Sequence, residues 1–204
     1  MAWYDLFASF YDLMLDGVYR RHRAQAATAL QLVPGMTVVD VGCGTGASFD
    51  ALVAAVGPTG RVIGIDASAG MLRKAARRAQ RNGWDNIELV EIKVDDPEAT
   101  KQTLRTLGEV DRVLCFLSLS VIEGWAAVLT EWFRRMTPRG RLVIADVHNA
   151  KPGLYGRYVQ VVSQATLTRK SWEPLEAMAS DFELAWQPSS WMLGGQLFIA
   201  AGSR

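Results

Sequence analysis

Residues 38–46 read VVDVGCGTG, and residues 61–66 read RVIGID. The first stretch predicts a buried strand that continues into a glycine turn without bulky side chains. The second predicts a buried strand that ends in a carboxylate. A strand, a tight turn, a helix and a second strand in this order are typical of an open α/β sheet.

The glycine turn has the composition of a nucleoside site. Gly42, Gly44 and Gly46 let the backbone approach a ligand closely and adopt positive φ where this is needed. The helix that follows presents its N-terminal amides to the same ligand. Asp66, at the carboxyl end of the next strand, can accept both hydroxyl hydrogens of a ribose.

Two nucleoside cofactors could use such a turn. Residues 42–47 satisfy the dinucleotide pattern G-x-G-x-x-G/A, with an acid about twenty residues further on, which would suit NAD. Asp40 lies two residues before the first glycine, where an anion would repel a pyrophosphate. An acid at this position suits a ligand with a cationic amino group instead, although positioning the glycine turn is the more conservative role for Asp40.

The string VVDVGCGTG resembles motif I of the class I S-adenosylmethionine (SAM) methyltransferases, and RVIGIDAS resembles their acidic second motif. Residues 194–202 resemble the final strand of small members of this family. The resemblance covers roughly residues 1–204 and implies a single SAM-dependent methyltransferase domain, with S-adenosylhomocysteine as product. It implies an α/β, Rossmann-like fold with a seven-stranded, mostly parallel sheet, an antiparallel last strand and N-terminal lid helices over residues 1–32.

The rest of the chain alternates strands and helices, as a doubly wound sheet requires. Ser68 is expected to cap the second helix and Gly83 to end it. Strands are predicted at residues 37–42, 61–66, 87–93, 110–119 and 141–147, and helices at 46–56, 68–82, after Pro97, at 125–136 and at 153–165.

The C-terminal part predicts a hairpin. Residues 182–186 and 196–201 have strand composition and no helical pattern between them, so the last strand is expected to be antiparallel. Dinucleotide folds of the reductase type usually finish with a parallel strand. Neither Tyr155 nor Tyr158 has the lysine four residues later that reductases carry. Both features disfavour the NAD interpretation.

Composition sets the outer bounds. The chain has 204 residues, 50% of them hydrophobic, and a formal net charge of +1, which predicts one domain and no field that favours nucleic acid. No membrane-spanning run or secretory signal is evident. Cys43 and Cys115 fall on predicted buried elements, which suggests reduced thiols in a cytoplasmic protein. The histidines form no zinc pattern, so no metal is expected.

The carboxyl ends of the strands should supply the remaining cofactor contacts. Asp95 is predicted to accept the exocyclic amine of adenine, with Asp96 as its rival. Ala67 and Met71 are expected to pack against the adenine and ribose, and Phe116 to offer its backbone to the methionine moiety. The predicted cofactor-binding residues are Tyr4, Tyr11, Asp40, Gly42, Cys43, Gly44, Gly46, Asp66, Ala67, Met71, Asp95 and Phe116.

Residues 1–12 read MAWYDLFASFYD and resemble the opening of ubiquinone-biosynthesis methyltransferases and of small phospholipid N-methyltransferases. This resemblance implies that Tyr4 and Tyr11 form a lid over the cofactor, and it makes a lipid amine head group the leading acceptor. The apolar spacing predicts a helix, packed on the domain itself. The alternative is a peripheral contact of residues 1–23 with the inner face of a membrane, supported by the basic run at residues 19–23.

The acceptor end is the part that the sequence describes least. His148, just past the fifth predicted strand, and Tyr11 are the candidates to act on the acceptor. Ser120 stands where many small-molecule relatives carry a histidine, and no acidic triplet suggests a magnesium site. A soluble, quinone or natural-product hydroxyl is the rival of the lipid amine. A NAD-dependent reductase and a catalytically silent SAM-binding partner protein are the alternatives from other classes.

Overall fold

The computed structural model describes residue 17 and residues 19–94, 97–188 and 194–204, without the side chains of residues 97–99. The strands in this part of the chain are β1 (Thr37–Val41), β2 (Arg61–Asp66), β3 (Ile87–Glu91), β4 (Arg112–Phe116), β5 (Arg141–His148), β6 (Glu183–Trp186) and β7 (Gln196–Ser203). They form one seven-stranded sheet in the order β3-β2-β1-β4-β5-β7-β6.

The sheet is parallel from β1 to β5, and its last two strands are antiparallel. β1 pairs with both β2 and β4, so the order of the strands reverses at this central strand. β7 pairs antiparallel with β5, with Asp146 opposite Phe198, and β6 pairs antiparallel with β7. The predicted α/β sheet and its terminal hairpin are confirmed.

Helices cover both faces of the sheet. The described helices are α1 (residues 19–29), α2 (Phe49–Val56), α3 (Ala69–Asn82), α4 (Pro97–Leu107), α5 (Trp125–Arg135), α6 (Leu154–Ser163) and α7 (Glu173–Met178). Helix α3 begins and ends as predicted. The Ser68 side chain accepts a hydrogen bond from Met71 N, and Gly83 ends the helix in the left-handed conformation.

Several predicted boundaries near the carboxyl edge of the sheet were wrong, and three of them bear on the site. β4 ends at Phe116 rather than at residue 119, because Leu117 turns with a φ of 53° while its N–H bonds Ala145 O at 2.7 Å. α2 begins at Phe49 rather than at residue 46, since the glycine turn continues through Gly46. β5 continues to His148, whose pairing partner is Gln196.

Two arginines at the amino ends of the central strands hold α1 against the domain. Arg112 donates from Nε to Leu30 O at 2.6 Å, and Arg141 donates from Nε to Ala29 O at 2.8 Å. The carbonyl groups at the end of a helix lack partners within it and attract cations. The C-terminal end of α1 is therefore fixed near the amino ends of β4 and β5, and its N-terminal end reaches the opposite edge of the sheet.

Candidate cofactor and acceptor site

A cavity of about 920 Å³ lies at the carboxyl ends of the parallel strands, and we call it the main cavity. This is where open α/β sheets bind ligands, beside the strand at which the order reverses. The residues that line its cofactor half come mainly from the segments 40–48 and 65–71, without Gly46, and those of its acceptor half come from the segments 117–123, 146–147 and 159–167. The predicted cofactor-binding residues that line it are Asp40, Gly42, Cys43, Gly44, Asp66, Ala67, Met71 and Phe116.

The glycine turn brings bare backbone to the cavity. Gly42 N and Cys43 N both donate to Ile65 O, at 2.8 and 2.9 Å, which fixes the turn to the end of β2. Gly42 has a φ of 72°, and a Cβ there would lie 2.5 Å from Ser118 Cβ. Gly44 has a φ of 56°, and a Cβ there would meet no atom within 4 Å. Gly42 therefore permits close packing, while Gly44 leaves space that a ligand can occupy.

Asp66 joins the two predicted motifs. Its Oδ2 accepts from Gly44 N at 2.9 Å, and its Oδ1 accepts from Ser68 N at 2.8 Å. Each carboxylate oxygen has a second lone pair, so the side chain can still accept hydrogen bonds from a ligand. Asp66 therefore organises the glycine turn and the start of α3, in addition to the ribose contact expected of it.

Gly46 does not line the main cavity, although it was predicted to bind the cofactor. A Cβ at this residue would lie 2.5 Å from the ring of Phe49, a fully buried side chain beneath the turn. Its φ of 74° also lies in the left-handed region. The structure thus assigns Gly46 to packing of the turn rather than to contact with a ligand.

Asp40 is a buried carboxylate at the floor of the cavity. It is 1% exposed, and its Oδ2 has no hydrogen-bond partner among the described residues. Burial raises the pKa of Asp40 to about 7, against the positive charge of Arg23 and a hydrogen bond from Ser48, which both lower the pKa. An unpartnered buried oxygen is costly unless a ligand satisfies it. This atom suits a cationic donor.

Helix α1 contributes two residues that the sequence did not assign to the site. Tyr19 and Arg23 both line the main cavity, and both are buried. The basic run at residues 19–23 is therefore divided: Arg20 and Arg21 are exposed, while Arg23 points into the domain. The helical period was the signal that could have found this, because Tyr19 and Arg23 are four residues apart and share a face.

The acceptor half combines apolar walls with one buried carboxylate. Asp146, two residues before the end of β5, is 2% exposed and accepts from Ser120 N at 2.9 Å and from Val147 N at 2.8 Å. Burial raises the pKa of Asp146 to about 6, although these hydrogen bonds and the charge of Arg169 lower it. Val159 of α6 and Leu167 form part of the apolar wall. Asp146 was missed because its strand looked like uniform core.

His148 lies outside the main cavity, contrary to the expected position facing the acceptor. It lines a second cavity of about 640 Å³, with its ring 5.0 Å from that of Trp172 and 6.1 Å from that of Trp186. Its Nδ1 is 3.1 Å from Arg169 O. The physical reason is that β5 continues through His148. This residue therefore lies two residues further along the extended strand than Asp146, beyond the main cavity.

Several predicted residues lie outside the described part of the chain. They are Tyr4, Tyr11, Asp95 and its rival Asp96. The described neighbours of Asp95 at the end of β3, residues 91–94, do line the main cavity. The predicted adenine contact and the predicted lid therefore stay predictions.

The two cysteines are buried and free, and burial raises the pKa of both thiols. Cys43 lines the main cavity but is held in the protonated form, so it offers neither a nucleophile nor a thiolate ligand. Within the described ranges, no three His, Cys, Asp or Glu side chains cluster in a way that could hold a metal ion. None of the helices in these ranges has the length and apolarity needed to cross a membrane.

Comparison with known sequences agrees with this geometry. Residues 32–192 match the family described as methyltransferase domain. A demethylmenaquinone methyltransferase of Oceanobacillus iheyensis is 30% identical over 152 residues, which are 72% of this chain and 60% of the relative. An uncharacterised 37.1 kDa protein of transposon Tn4556 from Streptomyces fradiae is 34% identical over 131 residues, 62% of this chain and 34% of that protein. The chain thus spans less than two thirds of either relative.

Solved structures share the fold. Geranyl diphosphate C-methyltransferase from Streptomyces coelicolor A3(2), in complex with Mg²⁺, geranyl-S-thiolodiphosphate and S-adenosylhomocysteine, matches with a TM-score of 0.69 at 18% identity. The match covers 91% of this chain and 76% of that one. At this identity the likeness shows the architecture alone, a Rossmann-like sheet with an antiparallel end.

Proposed function

Because this chain belongs to the methyltransferase domain family, we propose that it transfers a methyl group from SAM to a small or amphipathic acceptor. One observation carries the proposal. A single cavity joins a glycine turn and two carboxylates, Asp40 and Asp66, to an apolar half that holds Asp146. Its volume of about 920 Å³ lies near the upper end of the ~300–1,000 Å³ range of ligand pockets, which suits two molecules side by side.

The cofactor half fits a nucleoside with a cationic end. Asp66 would accept the ribose hydroxyls, and the unpartnered Oδ2 of Asp40 would accept from the amino group. The open space above Gly44 leaves room for the cofactor beside the backbone, and Met71 and Ala67 would pack against it. When bound, SAM supplies a methyl group on a sulfonium, which an acceptor lone pair displaces in line.

The acceptor half would position that lone pair and exclude water. Val159 and Leu167 provide apolar walls, while Asp146 provides a carboxylate whose pKa is raised by burial to about 6. A hydroxyl or a protonated amine must lose a proton to attack. Asp146 is the candidate to accept that proton, and its hydrogen bonds from the backbone of Ser120 and Val147 fix its orientation.

A lipid amine head group is the first acceptor to assay. The resemblance of residues 1–12 to phospholipid N-methyltransferases supports it, and a buried anion such as Asp146 suits an amine cation. A quinone is the second candidate, supported by the 30% identity to a demethylmenaquinone methyltransferase, and a soluble or natural-product hydroxyl is the third. A peripheral membrane contact through residues 1–23 would accompany the lipid acceptor, with Arg20 and Arg21 as exposed cations.

Transfer of radiolabelled methyl from SAM into a whole-cell extract tests the proposal, followed by partition between chloroform and water. Label in the organic phase supports a lipid or quinone acceptor, and label confined to the aqueous phase redirects the search to soluble metabolites. Binding of S-adenosylhomocysteine without transfer to any fraction would favour a silent binding protein. Calorimetric binding of NAD, with none of S-adenosylhomocysteine, would overturn the proposal in favour of a reductase.

A further inference from the structure

Helix α6 exposes large apolar side chains on the side that faces away from the domain. Leu154 is 87% exposed, Tyr158 is 61% exposed and Val161 is 79% exposed. They are four and three positions apart, so they form one stripe along the helix, which we call the outer face of α6. Of the seven exposed large hydrophobic residues in the described ranges, four lie on this helix. This concentration is typical of an interaction surface, whereas scattered exposed residues are not.

The opposite side of α6 is packed closely against the domain. Gly156 and Val159 are the buried residues of the helix. A Cβ at Gly156 would lie 3.1 Å from Gly194 O, and a Cβ at Gly194 would lie 3.0 Å from Val159 Cβ. Packing this close restricts rotation of the helix about its axis. The outer face therefore keeps its direction away from the domain.

The segment around the outer face carries charge of one sign. Residues 147–172 contain four lysines and arginines and no Asp or Glu, in a chain whose formal net charge is +1. Two of these cations, Arg169 and Lys170, donate hydrogen bonds to groups within the protein. The other two, Lys151 and Arg157, are exposed just before and within α6. The surface that fits this helix is therefore apolar and negatively charged.

The same helix forms a wall of the acceptor half of the main cavity. Val159, Val162 and Ser163 line this cavity from α6. One helix thus separates the acceptor half from whatever covers the outer face. A ligand that is held at the outer face is within one helix diameter, about 10 Å, of the acceptor half.

We propose that the outer face of α6 inserts into the surface of an anionic phospholipid bilayer, with Lys151 and Arg157 against the lipid phosphates. Such a bilayer offers an apolar layer beneath a layer of negative charge, which matches an apolar stripe flanked by cations. Tyr158 has an apolar ring and a polar tip, which suits the boundary between the two layers. The inference rests on the proposed function, because it gives an amphipathic acceptor its route from the bilayer to the cavity.

Co-sedimentation of the full chain with vesicles tests the apolar contact. The vesicles are phosphatidylcholine with roughly one third phosphatidylglycerol, or phosphatidylcholine alone. The wild-type protein should prefer the anionic vesicles, and its binding should fall as salt rises. The double variant Leu154→Gln with Val161→Gln should bind anionic vesicles roughly tenfold or more weakly, because two apolar side chains no longer enter the bilayer.

The matched control for this variant is Val33→Gln. Val33 is an exposed valine in the loop before β1, at the amino ends of the strands, and its replacement should leave vesicle binding unchanged. An equal loss in Val33→Gln, or no loss in the double variant, would overturn the inference. Failure of the wild-type protein to bind anionic vesicles would overturn it as well.

The cations are tested by Lys151→Gln with Arg157→Gln. Binding to anionic vesicles should weaken by roughly tenfold, while binding to phosphatidylcholine alone should change by less than about twofold. The control is Arg105→Gln with Arg134→Gln, which removes the same charge from exposed positions on α4 and α5. Equal losses in the two double variants would show that only net charge matters and would overturn the contact at α6.

The place of the contact is tested by Arg20→Gln with Arg21→Gln, since both arginines are exposed on α1. The variants of the outer face should lose vesicle binding whether or not this pair contributes. Loss of binding in the α1 variant, with full binding in the outer-face variants, would assign the membrane contact to residues 1–23 and overturn the inference.

Other occupants of the outer face are tested without lipid. The chain should sediment as a single copy, and Leu154→Gln with Val161→Gln should keep the thermal midpoint within about 2 °C, since both side chains face water. A dimer that this variant dissociates would assign the face to a second copy. A clearly lower midpoint would show that another segment of the chain covers it. Either result would overturn the inference.

Vesicle binding is measured without SAM and without an acceptor, which separates this inference from the proposed function. Methyl transfer by a protein that binds no vesicles would overturn the membrane contact and leave the proposed function intact. Vesicle binding by a protein that binds no S-adenosylhomocysteine and transfers no methyl group would overturn the proposed function, and with it the role of α6 in admitting an acceptor.

Discussion

The cofactor half of the main cavity is closed mainly by backbone, whereas its acceptor half is closed by side chains from several elements. In the cofactor half, the glycine turn bonds through its own amides to Ile65 O and to Asp66. In the acceptor half, the Asp146 carboxylate of β5 accepts a hydrogen bond from Ser120 N in the turn after β4, and Val159 of α6 lines the same space. Backbone contacts are independent of side-chain identity. Substitutions in the acceptor half can therefore alter which acceptor fits there without disturbing the backbone contacts of the cofactor half.

The largest effect is expected from Asp146→Asn, which removes the buried carboxylate of the acceptor half. Positioned proton transfer contributes roughly 10²- to 10⁴-fold to rate, so label transfer to the extract should fall by about that factor. The wild-type rate should rise between pH 5 and 7, because Asp146 has a pKa of about 6 and acts when ionised. The variant should lose this rise.

S-adenosylhomocysteine affinity should be nearly unchanged in Asp146→Asn, since the cofactor half is intact. Asp50→Asn, at an exposed carboxylate on α2, is the control and should transfer label at the wild-type rate. Full transfer by Asp146→Asn over the whole pH range would show that the acceptor needs no proton acceptor here.

Gly42→Val tests the contact between the two halves. The new Cβ would lie 2.5 Å from Ser118 Cβ and would sit at a positive φ, so we expect the free energy of unfolding to fall by about 2–4 kcal/mol. Gly44→Ala shares the positive φ but meets no neighbour, and it should cost about 1 kcal/mol. Urea denaturation measures both, and equal losses would contradict the close-packing argument.

Asp66→Ala should weaken S-adenosylhomocysteine binding by about 1–3 kcal/mol, measured by calorimetry. The two charge-assisted hydrogen bonds that Asp66 is proposed to make with the ribose would be lost, and Gly44 N would lose its acceptor. Glu88→Ala is the control, because this carboxylate lies on β3 outside the cavity lining. Unchanged affinity in Asp66→Ala would remove the ribose from this position.

Asp40→Asn should stabilise the ligand-free protein at pH 8 by about 1–2 kcal/mol while weakening cofactor binding. The sign follows from the raised pKa: between pH 4 and 7 the folded state binds more protons at Asp40 than the unfolded state, so stability falls as pH rises. The charge of Arg23 lowers the pKa of Asp40, and the charge of Asp66 raises it. Thermal unfolding between pH 4 and pH 8 measures the difference between the variant and the wild type, which should grow as the pH rises and become small towards pH 4.

The smallest effect is expected from His148→Ala on cofactor binding. Its ring packs against Trp172 and Trp186 around the second cavity, so S-adenosylhomocysteine affinity should change by less than about twofold. Label transfer distinguishes the two candidates near the end of β5. A larger loss of transfer in His148→Ala than in Asp146→Asn would restore the histidine to the catalytic role predicted from the sequence.

Much of the cofactor half could be predicted because its residues are close in sequence. The glycine turn, the acid that ends β2 and the capped start of α3 all lie between residues 38 and 71, and each carries a local signal. Gly46 was the exception, since a glycine that packs over Phe49 has the same letter as one that faces a ligand.

The acceptor half could not be predicted because its residues meet only after folding. Asp146 and Ser120 are 26 residues apart, and their hydrogen bond depends on the pairing of β4 with β5. Leu117 and Leu119 lie in a turn that is largely buried, although Ser118 stands between them, and this burial imitates a longer strand. Arg23 was interpreted as surface charge because a basic run does not show which of its members faces inward.

Helix α1 spans the sheet from the amino ends of the strands to their carboxyl ends. At the amino end of β4, Arg112 donates a hydrogen bond to the C-terminal end of α1. At the carboxyl end of the same strand, the ring of Phe116 contacts Tyr19 and Arg23. One residue inserted between Arg23 and Ala29 would turn Arg23 by about 100° about the helix axis and shift it by about 1.5 Å. The number of residues between the Arg112 contact and the cavity therefore determines where Arg23 lies in the site.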